Sequence, residues 1–252
     1  MKRTGIQKRL TIIFGVFSPI ILWYAVIFIW DIRPYILPPP HAVLSALISD
    51  RALLWSDLWV TMSEAVCGLI LGAVSGMVCG SVFHLFSSVD RIFRPYFVAF
   101  QSVPIVAIAP FLIMIYGSGW AVKVIMSAII CFFPITVAFA AGMSNVPPAI
   151  VNLLRISRAR PYYTFFRVRI PYALPQLFTA LKVSSTLAVI GAVVAEISGA
   201  SEGLGYRVAV SCLKTEPALA IAALFWTGLC SISLYYMISA LGYLLSKKYP
   251  IW

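Results

Sequence analysis

RVRIPYALPQLF, residues 167–178, sets two prolines, Pro171 and Pro175, four positions apart, behind a run of arginines and ahead of a long apolar stretch. Proline has no backbone N–H, and its ring clashes with the turn before it. The stretch therefore reads as a boundary, and what lies on each side decides the class of the chain.

Of 252 residues, 62% are hydrophobic and 11% charged, with a mean hydropathy of +0.97. Soluble domains carry about 25% charged residues. Too few polar side chains are present to cover a water-facing surface, so the class is all-α integral membrane. The net charge of +11 comes from 19 Lys and Arg against 8 Asp and Glu. These charges fall between apolar runs, as the positive-inside rule requires. No basic stripe with interleaved aromatics sits on a soluble domain, which argues against a nucleic-acid partner. Cys67, Cys79, Cys131, Cys212 and Cys230 form no CxxC pair; they read as small buried hydrophobes, with neither metal nor disulfide nor cofactor expected. MKRTGIQKRL precedes an apolar run that has no A-x-A-like cleavage site, which favours a retained first span over a signal peptide.

A membrane helix needs about 20 mostly apolar residues. The sequence predicts six, near 10–30, 60–86, 96–116, 121–141, 173–197 and 217–245, in one transmembrane domain over 1–252. GSGW (117–120) joins the third and fourth as a tight hairpin. With the N-terminus cytoplasmic, that side holds Lys2, Arg3, Lys8, Arg9, Arg91, Arg94, Arg155, Arg158, Arg160, Arg167, Arg169, Lys247 and Lys248. The opposite side holds Arg33, Arg51, Arg207 and Lys214. The bias places both termini and RVRIPYALPQLF in the cytoplasm. Outer segment 31–58 opens with a proline cluster. From His41, Val43, Leu44, Leu47 and Ile48 recur at helical spacing, as in an amphipathic helix lying on the outer leaflet or capping the bundle.

Within the spans, Gly68, Gly72, Gly76 and Gly80 recur every four residues and let another backbone approach closely. The approaching element is either a helix of the same chain or a subunit or sliding interface. Glu64 and Glu196 are intramembrane carboxylates, which normally face the bundle interior or a water path. Glu64, near the membrane interface, reads as a structural hydrogen-bonding group. Glu196 reads equally as a path or gating residue and as a structural bond. Gln101, Pro104 and Glu196 are the candidate path-lining residues, because the third and fifth spans hold most of the intramembrane polar groups.

Three kinds of membrane machine fit six spans. HExxH and paired-aspartate motifs are absent, which argues against an intramembrane enzyme. A stand-alone ion-coupled secondary transporter normally carries more membrane carboxylates and broken repeats. The third kind is a pore subunit powered from outside; the chain has no G-x-x-x-x-G-K-[ST] loop of its own. The loop over about 143–172 favours that reading. It carries Tyr162, Tyr163, Phe165 and Phe166 among Arg158, Arg160 and Arg167, with Pro161 suited to the first turn of a short helix. Such a patch is either a docking surface or an aromatic belt at the membrane interface.

At this loop the sequence resembles the permease subunits of bacterial ATP-binding-cassette (ABC) importers, of the group serving nitrate, sulfonates, taurine and pyrimidine precursors. Their loop has the form E-A-A, three residues, G, nine residues, I-x-L-P. Val168, Ile170 and Pro171 match its end, while Asn152, Leu153 and Leu154 stand at E-A-A and Arg158 at the glycine. ILPPPHAVLSAL, QSVPIVAIAPFLIMIYGSG (101–119) and AEISGASEGLGYRV (195–208) are similar to further stretches of that group. QSVPIVAIAP and FFPI (132–135) lean toward permeases for a thiamine-precursor pyrimidine. The resemblance implies a multi-pass protein of the bacterial inner membrane, a second permease copy and two ATPase subunits docked on the loop. It also implies a periplasmic or lipid-anchored solute-binding protein that delivers to segment 31–58 and to the 198–207 loop.

Overall fold

The computed structural model describes residues 5–248, without the side chains of 5–14, 16, 17, 98, 101, 105 and 248. Every regular element among the described residues is helical. They are α1 (Gly5–Ile29), α2 (Pro40–Ser49), α3 (Arg51–Leu85), α4 (Ser87–Gln101), α5 (Ile105–Tyr116), α6 (Trp120–Ser144), α7 (Pro148–Ile156), α8 (Pro161–Thr164), a π-helical turn (Phe165–Arg169), α9 (Ile170–Gly199), α10 (Leu204–Leu213) and α11 (Pro217–Lys248). Among the described residues, four helices are long and apolar enough to cross a membrane: Arg51–Leu85, Trp120–Ser144, Pro161–Gly199 and Pro217–Lys247.

The core is a bundle of α3, α6 and α9, with α11 against α9. Leu54, Cys131, Ile135, Phe139, Leu177, Val189 and Leu234 fill it. The glycine stripe of α3 lies against α6 within the chain. A Cβ at Gly68 would sit 2.3 Å from the Ser127 side chain, and one at Gly72 would sit 2.7 Å from the Ala128 carbonyl. Gly76 faces Ile135 and Gly80 the Thr136 carbonyl. A Cβ at Gly191 of α9 would likewise sit 2.7 Å from the Ser127 Cα. Ser127 Oγ then donates to the Ala188 carbonyl at 2.9 Å. Small residues thus let three backbones meet at Ser127 where lipid supplies no hydrophobic drive.

Four features differ from the sequence expectation. The second span starts at Arg51, not near 60, so 51–58 belongs to α3 and only α2 remains as the short amphipathic helix. Val43 of α2 is buried, while Leu44 and Ile48 are exposed. The early start is stable because Asp57, buried in its second turn, is paired with Arg207.

The third expected span is two helices, broken at 102–104. Pro104 pushes the preceding residue out of the helical region and caps α5 in an extended conformation, φ −61°, ψ 113°. α5 has 12 residues, about 18 Å of rise, short of the roughly 30 Å hydrocarbon core. The first expected span is helical over Gly5–Ile29, but nearly half of its side chains, at its N-terminal end, lie outside the described residues.

The fourth difference concerns the opening stretch. Pro171 and Pro175 do not end a helix: Pro161–Gly199 runs as one helical rod of 39 residues. Pro161 starts it at the first helical position, where a missing N–H costs nothing. The Phe165–Arg169 turn then widens to π geometry, with the Ile170 N–H donating to the Phe165 carbonyl five residues back. The wide turn falls just before Pro171, where an α-helical register would drive the ring into a carbonyl.

Candidate functional site

The loop over 143–172 is built from the chain upward as helix, turn, helix. α7 begins with Pro148 at its first turn and ends in a Schellman turn. The Arg158 N–H donates to the Arg155 carbonyl at 3.2 Å and the Ala159 N–H to the Leu154 carbonyl at 3.0 Å. Arg158 itself takes φ +50°, the left-handed conformation that glycine adopts without strain. The backbone turn survives here on an arginine, at the position where the loop pattern calls for glycine.

No residue of α7 or α8 is buried. Asn152, Arg158, Arg160, Pro161 and Arg167 are exposed. Leu153, Ile156, Tyr162, Tyr163 and Phe166 add apolar surface beside them, Ile156 81% and Tyr162 74% exposed. Tyr162 and Phe166 pack ring on ring, centroids 4.6 Å apart, and Phe165 and Phe166 meet edge to face at 5.0 Å. Phe165 turns inward and packs against the core, while Pro171 is half-buried in the rod. The segment therefore presents rigid aromatic rings and guanidinium groups on a short platform continuous with a spanning helix.

At the other end of the same rod sits a buried polar cluster that joins α3, α6, α9 and α10. Glu196 is 1% exposed. Its Oε1 accepts from the Thr61 hydroxyl at 2.6 Å, and its Oε2 from the Gly205 N–H at 2.6 Å. Thr61 Oγ1 accepts from the Leu204 N–H at 2.9 Å. Asp57 accepts from the Gly203 N–H at 3.2 Å and from Arg207 Nε at 2.7 Å. The first N–H groups of α10, which no residue within the helix can satisfy, are thus capped by side chains from two other helices. Gly203 has φ +107°, and a Cβ there would lie 2.3 Å from Glu196 Oε1. Beside this knot, Lys123 Nζ of α6 donates to Glu64 Oε1 at 2.7 Å, both groups buried.

Of the three path candidates, Glu196 is engaged in this knot. Pro104 is exposed at the α4–α5 break, and the side chain of Gln101 lies outside the described residues. The break borders an apolar cavity of about 1120 Å³, lined by Val103 and Phe100 together with Leu71 and Ser75 of α3 and Phe133 and Pro134 of α6. Sequence reasoning missed Asp57, Thr61, Lys123, Gly203, Gly205 and Arg207 as a group. Lys123 in an apolar run was the available signal, but its partner lies 59 residues away.

A helical membrane bundle, an exposed aromatic and arginine platform and a capped loop at the far end of the rod fit the permease subunit of an ABC importer. The chain belongs to the binding-protein-dependent transport system inner membrane component family, whose model matches residues 68–249. It is similar to a probable ABC transporter permease protein of Haemophilus influenzae, 34% identical over 87% of this chain and 89% of that one. It is also similar to the formylaminopyrimidine transport permease ThiX of Halalkalibacterium halodurans, 32% identical over 75% and 78%. A third relative is the taurine transport permease TauC of Escherichia coli, 25% identical over 86% and 83%. A chain of the inward-facing MetNI methionine ABC transporter shares the fold, with a TM-score of 0.62 at 18% identity over 76% of this chain and 97% of that chain. These relatives are transport permeases, not enzymes.

Proposed function

We propose that two copies of this chain form a path through the bacterial cytoplasmic membrane for a small polar pyrimidine of the formylaminopyrimidine type. Two separate ATPase subunits drive it, and a periplasmic or lipid-anchored binding protein supplies the solute. Six crossings place both termini in the cytoplasm, with α1 and the α4–α5 pair completing the four long helices. The pyrimidine reading is supported by the 32% identity to a formylaminopyrimidine permease, against 25% to a taurine permease. Gln101 and Pro104, at the broken crossing, line the path, and Glu196 holds its outer wall.

The observation that carries the coupling role is the exposed ring and guanidinium cluster on the end of the rod. Aromatic residues and arginine are enriched where proteins dock. Tyr162→Ala with Phe166→Ala, or Arg160→Glu alone, leaves membrane insertion intact and lowers both ATPase stimulation and uptake at least tenfold. Survival of both activities refutes the docking role. Mass spectrometry of the purified chain with its co-purifying subunits and bound solute tests the assembly. In proteoliposomes, formylaminopyrimidine uptake should need ATP and exceed that of taurine and nitrate. Uptake by the chain alone on an ion gradient would instead establish a secondary transporter.

A further inference from the structure

We propose that a polar stripe on α9, Gln176, Thr179, Lys182 and Thr186, lines the aqueous path, with Lys182 donating to an oxygen or ring nitrogen of the passing solute. The inference rests on the reading of the chain as a path-forming permease and adds solute-contacting residues to it.

The first support is depth without a partner. Cys131 Sγ, near the middle of α6 (Trp120–Ser144), donates to the Ser184 carbonyl of α9 at 3.2 Å. Lys182 stands two residues before Ser184, so its backbone lies level with the middle third of a spanning helix. A basic side chain at that depth faces a partner or water, not lipid. Lys182 is half-buried and joins no ion pair among the described residues. The carboxyl groups within the spanning helices are held by others. Arg207 takes Asp57 and Lys123 takes Glu64, while Thr61 and Gly205 take Glu196.

The second support is the company Lys182 keeps. α9 turns Ser184, Ala188 and Gly191 toward α6 and Phe178 toward Gly242 of α11. Gln176, Thr179, Lys182 and Thr186 follow one another at spacings of three and four on the remaining side. Thr179 is exposed and Thr186 half-buried. Their hydroxyls donate back into the helix, to the Pro175 carbonyl at 2.9 Å and the Val183 carbonyl at 2.8 Å, which leaves both oxygens as acceptors. Gln176 Oε1 is buried with no donor among the described residues. The exposed positions Ile70, Val74 and Val78 of α3 and Leu224, Phe225 and Ile232 of α11 are apolar instead, as a lipid-facing surface requires. Leu187, next to Thr186, lines the cavity that reaches Phe100 and Val103 at the α4–α5 break.

Lys182 offers donors and no acceptor, and the threonine and glutamine oxygens accept. That set fits a small neutral or anionic solute with an oxygen or ring nitrogen beside N–H groups, the pattern of an amino- or amidopyrimidine. A cationic solute would be repelled.

Thiol labelling of the complex assembled with its ATPase subunits tests the stripe apart from any solute. Thr179→Cys and Thr186→Cys should each react with a small charged thiosulfonate reagent in water, above the background of the five native cysteines. If neither reacts, lipid or protein covers this face and the proposal falls. In proteoliposomes, Lys182→Met should lower formylaminopyrimidine uptake about tenfold or more, as the loss of one charge-assisted hydrogen bond implies. Assembly and melting midpoint should hold, and Lys182→Arg should retain most of the uptake. Full uptake by Lys182→Met overturns the proposal, and so does a melting midpoint that falls together with uptake. If the wild type carries no formylaminopyrimidine, the solute reading fails, and the labelling alone decides whether the stripe lies on the path.

Discussion

Arg158 is an arginine doing a glycine's work. A side chain in the left-handed region costs roughly 1 kcal/mol, so Arg158→Gly should raise the melting midpoint in detergent and keep ATPase stimulation. Arg158→Val, β-branched at φ +50°, should lower both. At Gly203 the direction reverses. A methyl group would strike Glu196 from a strained backbone, so Gly203→Ala should cost at least about 2 kcal/mol, measured as lost thermal stability. The sequence made Glu196 visible as a lone carboxylate in an apolar run, with path and structural readings level. The structural partner was invisible, since Thr61 lies 135 residues away and nothing in local pattern encodes that pairing.

At the scale of elements, the glycine period of four on α3 was legible, whereas the helix it meets was not. Periodicity defines a face; only packing chooses the neighbour. Gly68→Val should therefore wedge α3 from α6 at Ser127 and destabilise by about 3 kcal/mol. Gly228→Ala on α11, with nothing within 4 Å of its would-be Cβ, should be neutral or stabilise by up to about 1 kcal/mol. Parallel melting curves in detergent separate the two. The prolines misled in both directions. Pro104 broke an apolar run that hydropathy alone reads as continuous, because it follows an exposed junction with no π turn to absorb it. Pro171 looked like a breaker and is not one, because the widened turn before it removes the clash. Hydropathy located the long apolar helices near 121–141, 173–197 and 217–245 but placed the start of α3 late, since Asp57 reads as surface until its arginine is known.

For the whole molecule, the end of the loop pattern and the three matching stretches carried the resemblance to the family to which the chain belongs. Truncating the exposed rings of the loop should accordingly lower transport at unchanged stability, whereas truncating Phe165, packed against the core, is a folding lesion: Phe165→Ala should lower the melting midpoint as well as uptake. Thermal stability and uptake measured side by side distinguish the two effects. The uninterrupted rod of Pro161–Gly199 has a mechanical meaning. At the usual rise, 39 residues extend about 58 Å. A tilt of about 10° around its midpoint would sweep each tip sideways by about 5 Å, in opposite directions. One tip carries the tyrosine and phenylalanine rings, and the other carries the glutamate that clasps Gly205. In the proposed assembly such a lever would convert a small rotation imposed from the ring end into a displacement of the clasp.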